Sequence, residues 1–360
     1  MRHWKPLLGI ILITGSLALA FAWTAGWTGD RVTTRTFLGD ALKTGVPGFR
    51  RAHSKGICYA GTFRPGPGHE AASISVARVF TQHKVPVVGR FSIASNNPYA
   101  ADSSTDTVSM ALMLTTDDGQ QWRIAMNTQP FFPTHNPEGF LAQRIAFRPN
   151  PDSGQPDPAR IAAFYEEYPE ARKFSEWTDK APLTRSFAGV EYFGVHAFLF
   201  VGPDGREQPV RWSFRSHLPF MAISRDERKQ LSPDFLFDDL RQRIGQGPLN
   251  WDMVLQLAKP GDPYQDPSEP WPEDRQRIVA GTVEVTRVFE QSDGACRDIN
   301  YDPSIIPLGI RVSGDLVLNA RSGVYSHSFN QRMRETGYGR TAAAVGKIKR
   351  EGTNDASSPD

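Results

Sequence analysis

Apolar positions recur with the period of two, or in the short continuous runs, that mark strands along much of the chain. They form "ICYAGTF" (57–63), "VPVVGRFSIA" (85–94), "SMALMLTTDDGQQWRIAMN" (109–127), "VHAFLFVGPDGREQPVRWSF" (195–214), "WDMVLQLA" (251–258) and "IVAGTVEVTRVF" (278–289). Asp118-Gly119 folds the third run back on itself, and Pro203-Asp204-Gly205 does the same for the fourth. Hairpin-length and irregular connections imply a mostly antiparallel sheet, and this many strands in one body favour a closed or nearly closed barrel. Helical spacing is sparser. It predicts one helix over "DPARIAAFYEEYPEARKFSEW" (157–177), one over "SPDFLFDDLRQRIGQG" (232–247) with Ser232 as its cap, and a third within "NARSGVYSHSFNQRMRETG" (319–337). The fold class is α+β, an antiparallel barrel with surrounding and C-terminal helices.

The first 28 residues differ from the rest. Arg2 and Lys5 precede an uncharged run from Leu7 to Trp27, the pattern of an export signal. The run is long enough to span a bilayer of roughly 30 Å at about 1.5 Å per residue. Ala18-Leu-Ala20 and Ala20-Phe-Ala22 would also suit a signal peptidase, so a cleaved signal and an uncleaved anchor both remain open. Either places Asp30 onward outside the cytoplasm, in a periplasmic or similar extracytoplasmic space. Residues 29–345 read as one body, and 346–360 as a polar, disordered tail.

Overall charge adds little. The 41 Lys and Arg against 39 Asp and Glu leave a net of +2, which argues against a nucleic-acid partner. Cys58 and Cys296 form either a disulfide or two buried thiols. Without CxxC or HExxH, neither a cysteine zinc site nor a histidine-based metal site has support. Two local features carry chemistry. One is the cluster Arg50, Arg51, His53 and Lys55, which runs directly into an apolar strand. The other is Arg321, Tyr325 and Arg332, whose offsets of four and eleven place them within roughly 40° on one helical face. Such a stripe suits an anionic planar partner, and an arginine one turn from a tyrosine favours its phenolate, a ligand for ferric iron.

"RRAHSKG", "VVGRFSIA", "WRIAMNTQPFF", "CRDINYDP" and "ARSGVYSHSFNQR" occur in an order and spacing that resembles the haem catalase superfamily. With "GVPGFRR", "FGVHAFLF" and "PGDPYQDPSEPWPEDR", the chain looks more like the short exported catalase-related peroxidases than full-length catalases. The resemblance runs from about residue 36 to 340 and implies a catalase-like barrel binding haem b. It implies His53 as distal base, Asn127 as distal amide and Ser92 as the serine orienting His53. Tyr325 would be the iron ligand, kept ionised by Arg321, with Arg50, Arg90 and Arg332 toward the haem carboxylates. Phe131 or Phe132 would pack on the distal face. On this reading the strand delivers His53 over the iron, three residues after Arg50. Val108 replaces an arginine common in the family, while Phe329 and His327 replace proximal residues of large catalases. No NADPH site is expected, and the interlocked tetramer of large catalases is not assumed, the oligomeric state being left open.

The implied activity is reduction of hydrogen peroxide or organic hydroperoxides by a small organic electron donor, with weak catalase turnover. Rearrangement of fatty-acid hydroperoxides and non-catalytic haem binding are the alternatives.

Overall fold

The computed structural model describes residues 4–25, 27–28, 33, 36–37, 39, 45–292 and 294–337. The expected tail at 346–360 lies outside them. Among the described residues there are twelve strands: β1 (Gly56–Pro65), β2 (Val85–Ile93), β3 (Val108–Thr115), β4 (Gln121–Asn127), β5 (Leu183–Thr184), β6 (Tyr192–Phe193), β7 (Phe198–Val201), β8 (Glu207–Ser216), β9 (Ala222–Ile223), β10 (Leu249–Leu257), β11 (Arg277–Glu290) and β12 (Ile310–Val312). Antiparallel pairing in the order β10-β11-β1-β2-β3-β4-β6-β8 returns from β8 to β10, closing an eight-stranded barrel. Strands β7 and β12 extend the sheet from β8, and β5 pairs only with β9.

The barrel closes around side chains of alternate positions. Phe63, Phe91, Leu112, Trp122, Phe214 and Trp251 are among the fully buried residues of one continuous core. Both expected hairpins form, with Gly119 and Gly205 at φ 81° and 78° where their turns need a left-handed residue. A register shift at Ala60/Gly61 against β11, and another at Met253/Val254, bend the wall.

Helices number α1 (Trp4–Thr24), α2 (Glu70–Ile74), α3 (Pro137–Ala146), α4 (Pro158–Glu167), α5 (Ala171–Lys180), α6 (Arg225–Gln230), α7 (Phe235–Gln246) and α8 (Leu316–Gly337). The single helix expected over 157–177 is two. Pro169 pushes Tyr168 out of the helical region, to φ −125° and ψ 71°, and α5 starts anew beyond it. The cap of the next helix also moves: α7 begins after Asp234, and Ser232 Oγ instead accepts from the Asp234 amide at 3.2 Å. The N-terminus of α7 is satisfied from outside, by Asp102 Oδ2, which accepts from the Leu236 amide at 2.8 Å. Residues 6–24 within α1 are long and apolar enough to cross a membrane, and nothing in the described structure covers them.

Cys58 and Cys296 are joined, 238 residues apart. The bond ties the start of β1 to the 294–301 loop, and its sulfurs pack with Tyr301 beside Tyr325. Replacing both cysteines by serine is expected to lower stability by about 2–5 kcal/mol. Denaturant unfolding of the oxidised protein and the double variant measures this. Coincident midpoints would show that the loop is held by its other contacts alone.

Candidate active site

The basic segment before β1 divides its charges among separate tasks. Lys55 Nζ donates to Asp102 Oδ1 at 2.7 Å and to the Ala100 carbonyl at 2.8 Å, joining this segment to the carboxylate that also caps α7. Arg51 pairs with Glu335 near the end of α8, and Glu335 Oε2 also accepts from the Gly48 amide at 2.7 Å. Arg50 Nη2 donates to the carbonyls of Cys296 and Ile299, at 2.9 and 2.8 Å. Ser54 is held by its amide on the Ser95 carbonyl and its hydroxyl on the Asn96 carbonyl. Between these anchors His53 sits at φ 54°, a left-handed conformation rare outside glycine. The expectation that the strand itself carries His53 is therefore corrected. The histidine stands three residues ahead of β1, in a strained turn pinned on both sides.

That turn brings the ring against the outer face of the barrel. Gly56 pairs with Ser92, Ser92 with Ser109, and Ser109 with Asn127, so these four residues form one row across β1 to β4. Ser109 Oγ lies 3.1 Å from His53 Nδ1 and donates to Asn127 Oδ1 at 2.6 Å. Ser92 was the expected partner of His53. It is buried on the same row, but the hydrogen bond to the ring comes from Ser109, one strand over. Nothing in the period-two pattern tells adjacent serines of one row apart. Only the height of the His53 turn above the sheet does.

The next row holds Cys58, Arg90, Ala111 and Ala125, whose two alanines leave a flat surface beside the histidine. Arg90 lies over Gly56, where a Cβ would strike its guanidinium. It donates to Gln291 Oε1 and to the Ser54 carbonyl, both at 2.9 Å. Across from this surface, Tyr325 of α8 packs against the Cys58–Cys296–Tyr301 cluster together with Ala111, Met113 and Val88. Arg321, one turn before it, donates from Nη2 to Tyr325 Oη at 2.6 Å. Arg332 is buried on the same helix, and its Nε lacks a hydrogen-bond partner among the described residues. Phe131 meets Phe174 and Trp177 edge-on, while Phe132 packs on Phe140 and approaches His196 with ring centroids 6.1 Å apart.

Charge follows from this crowding. Burial and then the charge of Arg50 lower Arg90 well below its ordinary value, and the same two causes bring Arg332 to about 9. Guanidinium groups stay protonated, so the lowering expresses a demand for a counter-anion that the protein itself meets only partly, through Asp298 near Arg332. Burial, then Arg90, Arg321 and Arg50 in turn, hold His53 at about 4. The distal turn and the helix bearing Tyr325 thus act electrostatically on one space.

One buried pair escaped the sequence reading. His196 Nδ1 lies 2.6 Å from Asp315 Oδ2, with both side chains about 1% exposed. Asp315 Oδ1 accepts from the Leu318 amide at 3.0 Å and so fastens the first turn of α8, the helix that carries Tyr325. Burial keeps His196 below its ordinary value despite Asp315, and its Nε2 has no partner. A histidine inside the apolar run "VHAFLF" was the available signal.

The catalase family model matches residues 44–344. This chain belongs to the catalase family. A catalase-related peroxidase of Synechococcus elongatus is 34% identical over 335 residues, covering 92% of this chain and 98% of that protein. One of Mycolicibacterium paratuberculosis is 32% identical over 301 residues, covering 83% and 92%. Among solved structures, a bacterial catalase superposes with a TM-score of 0.69 at 21% identity, covering 83% of this chain and 60% of that one. The barrel of this catalase-family member is therefore the barrel of that fold, with α8 packed through Tyr325 on the outer side of its wall.

Burial, and after it the charges of three nearby arginines, disfavour a protonated His53, so it should titrate far below the ordinary 6.5, near 4. Following the ring protons of the full chain by NMR from about pH 8 to 3.5 checks this. A midpoint at the ordinary value would mean that neither burial nor the arginines act on the ring.

Proposed function

We propose that the protein is a haem peroxidase that reduces hydrogen peroxide or organic hydroperoxides at the expense of a small organic donor, with at most weak catalase turnover. The observation that carries this reading is the facing pair of sites: a neutral histidine and an amide on the barrel, and an arginine-paired phenol on α8. The residues fit a haem. Arg332 Nε is buried without a hydrogen-bond partner among the described residues, the buried guanidiniums of Arg90 and Arg332 lack sufficient carboxylates, and Ala111 and Ala125 leave a flat wall between Tyr325 and His53. Haem b carries two carboxylates on a planar ring, and forked guanidiniums bind carboxylates bidentately. Tyr325 would ligate its iron as a phenolate, with Arg321 compensating the charge. When bound, the group supplies the iron at which the O–O bond breaks and the oxidising equivalents that the donor then reduces.

The chain's own residues handle protons and position. His53 stays neutral down to about pH 4, so it is ready to take a proton from an incoming hydroperoxide and return it to the departing oxygen. Asn127 offers an amide donor to the oxygen that remains. Arg50, Arg90 and Arg332 hold the carboxylates and fix the ring. A hydroperoxide so treated gains two electrons and leaves as water, or as water and an alcohol, while the donor gives up those two electrons.

We place this chemistry outside the cytoplasm, on a helical anchor. Trp4 and Trp23 stand nineteen positions apart on α1, about 28 Å at 1.5 Å per residue, which matches a hydrocarbon core of roughly 30 Å with tryptophans at both interfaces. Membrane fractions of expressing cells should hold the protein with its N-terminus intact; recovery of a chain starting near residue 21 or 23 in the soluble fraction would show a cleaved signal instead.

Reconstitution with hemin tests the activity. The expected product is a high-spin ferric protein with phenolate charge-transfer bands that disappear in Tyr325→Phe. His53→Ala should keep its hemin and lose roughly 10²–10⁴-fold in the rate of reaction with peroxide. A spectrum of histidine or thiolate ligation, or a His53→Ala variant as fast as the parent, would refute the assignment. Product analysis with lipid hydroperoxides distinguishes reduction to alcohols from rearrangement.

A further inference from the structure

Ser109 connects the two distal groups. We infer that it is a positioning residue that sets the tautomer of His53 and the orientation of Asn127 through a single hydroxyl; this rests on the haem-peroxidase reading. Ser109 is the second residue of β3, buried between Ser92 on one side and Asn127 on the other. Its hydroxyl has one proton and donates it to Asn127 Oδ1 at 2.6 Å. At 3.1 Å from His53 Nδ1, the same oxygen can then only accept, so Nδ1 must carry the ring proton and Nε2 keeps its lone pair. The amide is fixed by the same bond. With Oδ1 occupied by Ser109, Asn127 turns its NH₂ away from the strand as a donor. Thus one side chain leaves a base and a donor available together, the pair of groups a hydroperoxide needs.

The surrounding structure gives this role to no other group. Ser54 and Lys55 pin the backbone of the turn but do not hold the ring, and Ser109 is the hydrogen-bond partner of the imidazole among the described residues. Without it, the ring of a residue in a left-handed turn retains a fixed Cα but loses the contact that defines its rotation and its protonated nitrogen.

The test uses the full chain with and without hemin. In the hemin-free, ¹⁵N-labelled protein, long-range proton–nitrogen spectra should show His53 as the Nδ1–H tautomer in the parent and in Ser109→Thr, and as a mixture in Ser109→Ala and Ser109→Val. In the hemin-loaded protein, cyanide binding requires a base to take the proton of HCN. Its association rate should fall roughly tenfold in Ser109→Ala and Ser109→Val, a fraction of the about 10²–10⁴ that a positioned base supplies, and recover in Ser109→Thr. Thr and Val share one shape, so their comparison decides the matter even where Ala perturbs folding. An Nε2–H tautomer in the parent, a cyanide rate in Ser109→Val within twofold of Ser109→Thr, or the whole effect reproduced by Ser92→Ala would overturn the inference. Failure of the parent to take up hemin or react with peroxide would instead refute the functional reading, while the tautomer measurement would still decide the role of Ser109.

Discussion

The register of β1 to β4 is the constraint on which the site depends. Side chains alternate across a strand, so the pairing that buries Ile57, Phe91, Met110 and Met126 inside the barrel also turns Gly56, Ser92, Ser109 and Asn127 outward as one row. A slip of one residue in β2, β3 or β4 would bring Phe91, Met110 or Met126 to where Ser92, Ser109 or Asn127 now stands. The large apolar area buried in the core makes such a slip costly. The position of this outward row is thus protected by packing on the opposite side of the same wall.

A second layer of order comes from charge. The segment around His53 contains three cations, and each is spent on a different part of the fold: Lys55 on Asp102 below α7, Arg51 on Glu335 of α8, and Arg50 on the loop closed by the Cys58–Cys296 bond. These contacts place the turn, the loop and the helix relative to one another. What remains inside is an excess of positive charge at Arg90 and Arg332, bounded by Tyr301 and the flat alanine surface. Burial, together with this field, disfavours the protonated form of His53.

Helix α8 joins the two halves. Its first turn is tied to the barrel through Asp315 and His196, its middle presents Arg321 and Tyr325, and its far end is clamped by Arg51. A helix held at both ends presents its middle, with Arg321 and Tyr325, with little freedom.

The strands, both hairpins, the barrel class and the helical stripe Arg321–Tyr325–Arg332 were legible in the sequence because each rests on local periodicity or turn chemistry that neighbours in the chain impose. The break at Pro169 was legible too, since proline acts on the residue before it, yet the apolar spacing across it reads as continuous. Other features depended on distance through space. Whether Cys58 and Cys296 bond, which of two serines reaches His53, that His53 stands in a turn, and that His196 meets Asp315 were all decided by how residues far apart in sequence come together. Periodicity states which face a side chain takes. The heights of loops above that face, and hence the partners of its hydrogen bonds, exist only once the barrel has closed.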